Sequence, residues 1–378
     1  MNEHEHQDAL PKVAICQLPE GSTPVHDADE EVFLLYTALA ARNSKTEAQA
    51  KDGAFRGLGF LDSHQDVLTL EFSVQVVDVP PIGQQDEQTV AEDLSLTSHS
   101  RKHGKTKHRH KHKLRPPEEK TITVQVAQDT TSLRSRKGDT GSVLWRACID
   151  FAQMILCQWY AHARNSLFDP VQLAKAHVLE LGAGTGLLSV LLSPLVRHYT
   201  VTDIEALVHL LAKNLTLNDI PHSTKRTPSN SDENVKHGTV TVDVLDWLTV
   251  HGASLAERRR LCTSYAPVDL LLVVDCIYHP SLLPALVGTI DALTIPGRTT
   301  VVVVVELRAE DVVREFLELW LHVGEDDANV DNDRRENAGE DQCGKARWEI
   351  WHANTDGLMD GPYAVWVGWK KPPDKDFC

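Results

Sequence analysis

The sequence predicts an α/β fold. The expected core is a seven-stranded, mostly parallel sheet with helices on both faces and an antiparallel C-terminal hairpin at its edge, preceded by a small N-terminal extension containing strands. Three observations carry that reading. From about residue 131, short apolar runs alternate with stretches of helical length and periodicity. Two of the runs, LLLVV and VVVVV, are unbroken, as strands covered on both faces must be. Another run passes through a glycine-rich turn straight into a helical pattern, the strand–turn–helix unit of a parallel sheet.

In chain order, the first 28 residues show no periodic pattern and are expected to be loose. Residues 30–40 (EEVFLLYTALA) have helical character. Residues 67–77 (VLTLEFSVQVV) and 121–126 (TITVQV) alternate as a strand pair does, and the polar segment 80–117 between them reads as a long insertion. An amphipathic helix should begin at Trp145 and end near Tyr160. The main strands are expected at 177–181, 198–202, 239–244, 270–274, 300–305, 348–352 and 364–369, with helices at 187–196, 206–217, 281–293 and 310–323. Only the glycine-containing segment 353–363 separates the last two strands, so they should pair antiparallel. Segments 223–237 and 324–344 read as surface loops, the second holding eight acids against two arginines. The chain thus divides into an extension, 1–130, with a disordered basic loop at about 80–119, and a larger domain, 131–378.

Over its 378 residues the chain carries a formal charge of −16, which suits a basic partner and disfavours nucleic acid as the main one. The exception is 101–115 (RKHGKTKHRHKHKLR), with eight Lys/Arg, four His and no acid. It reads as a solvated loop, with nuclear targeting or RNA contact as the alternatives. Its histidines stand beside cations that oppose a bound metal, and no metal site is expected. No run approaches the roughly 18 apolar residues of a membrane helix, and the acidic start lacks a secretory pattern. A cytoplasmic protein is expected, the nucleus being the alternative. The seven cysteines are scattered and never spaced C-x-x-C, against both a disulfide framework and structural zinc.

The strongest signal is HVLELGAGTGLLSVLL, in which a strand enters Gly182, Ala183, Gly184, Thr185 and Gly186 and continues as a helix. Glycines there let the backbone turn sharply and approach a ligand without a Cβ clash. The third glycine comes one residue too early for the G-x-G-x-x-G of dinucleotide enzymes. Asp203 closes the next strand in YTVTDI, where an open α/β sheet places a carboxylate beside ribose hydroxyls; the other reading is an N-cap for the helix that follows. Trp247, after the third strand, can cover an adenine face or fill the core, and Asp246 can cap a helix or accept from an exocyclic amine. The fourth strand ends in VVDCIYHP, which puts Asp275, Cys276 and Tyr278 at the carboxyl edge of the sheet.

The glycine loop preceded by Glu180 resembles the first motif of seven-strand, Rossmann-like methyltransferases that use S-adenosylmethionine. With Trp145, Asp203, 245–247 and the D-x-x-Y of Asp275 to Tyr278, the chain resembles the protein-lysine methyltransferases called family 16. The segment TTSLRSRKGDTGSVLW and the basic insertion are similar to those of fungal ribosomal-protein lysine N-methyltransferases. The likeness spans roughly residues 30–370, and 130–278 most strongly. It implies S-adenosylmethionine as donor and a lysine of a ribosomal protein, of the large subunit, as acceptor. It puts Trp145, Glu180, Gly182, Ala183, Gly184, Gly186, Asp203, Trp247 and Val274 around the cofactor, with Glu180 reaching the positively charged amino-acid moiety directly or through water. Asp275 and Tyr278 fall at the acceptor, where Asp275 would attract the incoming ammonium and orient the amine and Tyr278 would line the lysine channel; the competing reading is that Asp275 caps a helix and Tyr278 packs. Cys276 lacks a partner base and is not expected to act as a nucleophile. His279-Pro280 and the acidic insertion depart from the common pattern and bear on substrate identity. The alternatives are another basic protein such as a chaperone or translation factor, a non-catalytic binding module on the same fold, a small-molecule methyltransferase, and nucleic-acid modification, which the basic loop keeps open.

Overall fold

The computed structural model describes residues 15–47, 61, 65–77, 118–130, 140–163, 165–224, 237–323 and 346–372. The basic insertion, the acidic segment 324–344 and most of the loop at 223–237 lie outside them. The elements are β1 (Thr23–Pro24), α1 (Ala28–Glu47), β2 (Val67–Val76), β3 (Glu118–Ala127), α2 (Arg146–Ala161), α3 (Pro170–Leu173) and β4 (His177–Leu181). There follow α4 (Leu187–Leu192), β5 (His198–Asp203), α5 (Glu205–Leu217), β6 (His222–Ser223), β7 (Thr239–Val244), α6 (Trp247–Gly252) and α7 (Leu255–Thr263). The chain closes with β8 (Leu270–Val274), α8 (Leu283–Leu293), β9 (Thr300–Glu306), α9 (Glu310–His322), β10 (Arg347–His352) and β11 (Tyr363–Lys371).

The main sheet runs β1-β10-β11-β9-β8-β4-β5-β7-β6. Strands β6, β7, β5, β4, β8 and β9 are parallel, and β11, β10 and β1 are added antiparallel. The unbroken apolar runs are explained by period-two alternation between two covered faces. Val178, Leu270, Leu272, Val302 and Val304 face one core, shared with α2, α4 and the β2–β3 pair. Leu179, Leu181, Leu271, Val273, Val301, Val303 and Val305 face the other, under α1, α8 and α9. Each expected strand of the main sheet is present, with boundaries shifted by two residues at most. Among the described residues no helix is long and apolar enough to cross a membrane.

Two expectations are corrected. The expected seven strands are extended by two-residue strands at both edges, so β10 is not a free edge: β1 covers it, and Val25 N donates to Ile350 O at 2.8 Å. The described part of the first 28 residues is likewise not loose, since Ile15, Cys16 and Leu18 are buried and Cys16 bridges to Phe168. Both features draw their hydrogen bonds from distant partners, which local periodicity does not reveal.

The β2–β3 pair forms a separate two-stranded sheet against α2, with α5 alongside β3. Two asparagines of the α5 end act as surrogate strand for β3. Asn214 Oδ1 accepts from Ala127 N at 2.7 Å while its Nδ2 donates to Ala127 O at 3.0 Å, and Asn218 repeats the pattern on Gln125 at 2.9 and 2.7 Å. Asn214 Nδ2 also donates to Thr185 O at 2.8 Å, which ties the small sheet to the glycine loop.

On the opposite face Trp320 is fully buried, with ring centroids 5.5 Å from both Phe316 and Trp348 and its six-membered ring against Gly368. Trp320→Ala should lower stability by about 3–5 kcal/mol, measured by chemical denaturation. A loss under about 1 kcal/mol, the size of a surface substitution or less, would show that this aromatic cluster does not anchor α9.

Candidate active site

The carboxyl ends of β4, β5, β7 and β8 meet at one edge of the sheet. The chain order reverses between β4 and β8, and a crevice opens where the loops after these strands diverge. A cavity of about 610 Å³ fills it, large enough for a nucleoside-sized ligand. Trp145, Gly182, Ala183, Gly184, Asp203, Trp247, Val274, Asp275 and Tyr278 all line it.

The glycine loop depends on left-handed backbone. Gly182 has φ 63°, and a Cβ there would lie 2.7 Å from Cys276 Sγ and 2.9 Å from Trp247. Gly184 has φ 57°, and a Cβ there would lie 2.9 Å from the backbone oxygen of Gly141. Asp203 fixes the loop from the neighbouring strand. Its Oδ2 accepts from Gly184 N and its Oδ1 from Ile204 N, each at 2.7 Å. The capping alternative for Asp203 does not hold: the N-cap of α5 is Ile204, without a side-chain bond. Asp246, by contrast, does cap α6, accepting from Leu248 N at 2.9 Å.

Two expected site residues stand off the cavity wall. Gly186 (φ 76°) is the N-cap of α4, where a Cβ would lie 2.8 Å from Leu211, so its glycine serves the helix start. Glu180 is buried beneath the loop, and Tyr199 Oη donates to its Oε2 at 2.8 Å. Of the two expected routes to a ligand, directly or through water, the direct one does not match this placement, because Glu180 is absent from the cavity wall and turns to Tyr199, on the sheet face that packs against α2. Burial pushes its carboxyl up to about 8; the Tyr199 hydrogen bond works against this, and the charge of Asp203 adds to it.

At the acceptor side, Asp275 takes φ 57°, rare for a residue with a side chain, and its N donates to Val304 O at 2.7 Å. It caps no helix. Its carboxylate receives Arg308 Nη1 at 2.9 Å and Nη2 at 2.7 Å, a bidentate pair. Arg308 Nη2 also reaches Glu306 Oε2 at 2.7 Å, and the guanidinium lies 5.0 Å from the Trp145 ring centroid. Burial works to lower the Arg308 pKa, but the hydrogen bond and charge of Asp275, with Glu306, hold it above its ordinary value. The sequence reading missed Arg308. Its signal was a cation two residues beyond the end of a buried valine strand, at the ligand edge. Trp145 occupies the N-cap position of α2 without a side-chain capping bond and donates from Nε1 to Thr140 O at 2.8 Å. Tyr278 is 40% exposed, which leaves it within reach of an incoming side chain. Cys276 is buried, and burial drives its thiol well up, which leaves no reactive thiolate.

The raised Glu180 pKa sets a stability test. From its ordinary 4.5 to about 8, the folded state holds a proton that the unfolded chain has released. Stability from this group is therefore intact below the lower value and falls with rising pH across that window, by up to roughly 1.4 kcal/mol per pH unit. Glu180→Gln keeps an acceptor for Tyr199 and should flatten that slope in melting experiments from pH 5 to 8. A slope identical to the parent's would show that charging Glu180 costs nothing.

Known proteins match this chain as follows. A protein of Schizosaccharomyces pombe named diaminohydroxyphosphoribosylamino-pyrimidine deaminase is 31% identical over 199 residues, which is 52% of this chain and only 41% of that protein. The ribosomal lysine N-methyltransferase 5 of Candida glabrata is 26% identical over 339 residues, covering 77% of this chain and 88% of the relative. Among solved structures, the N-methyltransferase NodS from Bradyrhizobium japonicum in complex with S-adenosyl-L-homocysteine aligns with a TM-score of 0.28 at 12% identity, over 54% of this chain and 84% of that one. The family described as lysine methyltransferase matches residues 126–321, from the end of β3 through α9. That span takes in the glycine loop, Asp203 and the Asp275–Arg308 pair, and the chain belongs to the lysine methyltransferase family.

Proposed function

We propose that the chain transfers a methyl group from S-adenosylmethionine to a lysine side chain of a ribosomal protein of the large subunit. The observation that carries this reading is one cavity that joins a glycine-walled strand end, the Asp203 carboxylate and the Asp275/Tyr278 pair. Its walls fit a nucleoside. Bare backbone at Gly182 and Gly184 leaves room that a Cβ would fill, and Trp247 Nε1 is buried without a hydrogen-bond partner among the described residues. Gly182, Ala183, Gly184, Asp203, Trp247, Val274 and Trp145 are the residues that would hold the cofactor, with Asp203 beside the ribose.

When bound, S-adenosylmethionine supplies a methyl carbon whose bond to sulfur breaks as the lysine nitrogen's lone pair attacks it. The protein's task is to present that nitrogen neutral and in line. Free lysine, with a pKa near 10.4, must lose its proton in the site. Val143, Trp145, Cys148, Val274 and Leu282 contribute apolar lining to the cavity, and desolvation there favours the neutral amine. Tyr278 lines the approach, while Asp275 orients the amine.

The ribosomal acceptor draws support from the name of the Candida glabrata relative and from the −16 charge, which attracts a basic protein. Incubation with labelled donor and ribosomal proteins from cells lacking the enzyme should place label on a lysine identifiable by mass spectrometry. Label on RNA alone, or on a chaperone or translation factor and no ribosomal protein, would overturn the assignment. Asp203→Ala should weaken S-adenosylhomocysteine binding by roughly 10- to 100-fold in calorimetry, as loss of hydrogen bonds to a charged group implies; binding equal to the parent's would remove Asp203 from the cofactor site. Tyr278→Phe and Asp275→Ala should each slow transfer, and rates equal to the parent's would remove both from the mechanism.

A further inference from the structure

We propose that Arg308 is a positioning residue for methyl transfer: by clamping the Asp275 carboxylate it keeps the acceptor side of the cavity from holding the substrate lysine as an ammonium. This rests on the proposed lysine transfer and names a residue that the reaction's outline does not supply.

The geometry is specific. Both terminal guanidinium nitrogens of Arg308 engage Asp275, at 2.9 and 2.7 Å, and Glu306 N adds a third donor at 3.3 Å. A carboxylate has about four lone-pair positions, so about one is left to an incoming amine. The Asp275 side chain is 2% exposed against 30% for Arg308, so water does little to screen the carboxylate and the guanidinium is its main partner. The guanidinium also contacts Glu306 and the Trp145 face, and so joins the ends of β8 and β9 to the start of α2.

Charge decides what this clamp does. The titratable groups around Asp275 are Glu306 at the end of β9 and Arg308 beyond it, Glu180 and Asp203 at the ends of β4 and β5, Cys148 on α2, and Cys276 and Tyr278 on its own loop. Behind Glu306, Tyr363 Oη bonds Asp150 of α2 at 2.5 Å. Arg308 is the cation of this set. A bare carboxylate next to a lysine stabilises the ammonium and raises its pKa, which opposes the deprotonation that transfer requires. With the guanidinium in place, Asp275 can still accept one N–H and orient the nitrogen without the full pull of its charge. A bidentate fork does this and a lysine ammonium does not, because only the fork fixes both oxygens.

The test is the pH profile of single-turnover transfer from labelled S-adenosylmethionine to ribosomal proteins from cells lacking the enzyme. Arg308→Met should be slower at pH 7 by about tenfold for each pH unit by which the lysine pKa rises, and the deficit should shrink as pH approaches 9. Arg308→Lys should lie between it and the parent. Adding Asp275→Asn to Arg308→Met should bring the midpoint of the profile back toward the parent's, whatever the absolute rate. Calorimetric binding of S-adenosylhomocysteine within about threefold of the parent, less than 1 kcal/mol, establishes that the variants are folded. A deficit constant across pH in folded variants would overturn the inference, as would a shifted midpoint that Asp275→Asn does not move. If Arg308→Met does not fold, the Arg308→Lys profile decides alone, and one superimposable on the parent's after scaling overturns the inference. A parent enzyme that labels no lysine at any pH refutes the proposed function itself.

Discussion

The parallel pairing of β4 with β5 on one side and β8 on the other is the constraint on which the site depends. Both faces of β4 are buried, so its register is set by two cores at once, and a one-residue slip would exchange Leu179 and Leu181 with Val178 and Glu180. That register brings Gly182 and Asp275, distant in sequence, to the same edge. It also explains why the ligand space opens there: chain order turns back between β4 and β8, so the loops after them diverge.

On that frame, Asp203 links strand order to loop shape. One carboxylate takes the Gly184 amide and the Ile204 amide, and so holds the turn after β4 from the end of β5. The left-handed turn at Gly184 in turn rests on Gly141, whose carbonyl leaves no room for a Cβ. Asn214 then carries the same loop to β3 through Thr185 O and Ala127. The small sheet thereby supports the glycine loop through the bridging side chain of Asn214.

Much of this was legible in the sequence, for physical reasons that differ by element. The runs at β8 and β9 could be read because a strand covered on both faces admits almost only apolar residues, and the glycine loop because φ near 60° at 182 and 184 selects glycine. Strand β1 was not legible: two residues have no period, and its pairing comes from β10, more than 300 positions away. Glu180 and Gly186 were assigned to the cofactor from their place in a motif. Whether a side chain on β4 points to the cavity or to α2 depends on the pleat, and Glu180 points to Tyr199. Arg308 escaped because an isolated cation after a strand has many uses, and only the folded arrangement brings it to Asp275.

A lysine methyltransferase must attract a cation and then receive it uncharged, and this chain handles the conflict at two ranges. At long range, the −16 net charge would raise the local concentration of the proposed basic substrate, an effect that salt screens beyond roughly 10 Å. At short range the carboxylates of the site are restrained in different ways. Glu180 is buried against Tyr199, where desolvation favours its neutral form up to about pH 8. Asp203 spends its oxygens on backbone amides. Asp275 is met by a guanidinium. If Asp203 and Asp275, which line the cavity, were bare and ionised, it would be a good ammonium binder and for that reason a poor place to expose a lone pair. The attraction of the surface and the restraint of the interior are therefore complementary requirements, and under the proposed function the Asp275–Arg308 pair is where the second would meet the substrate.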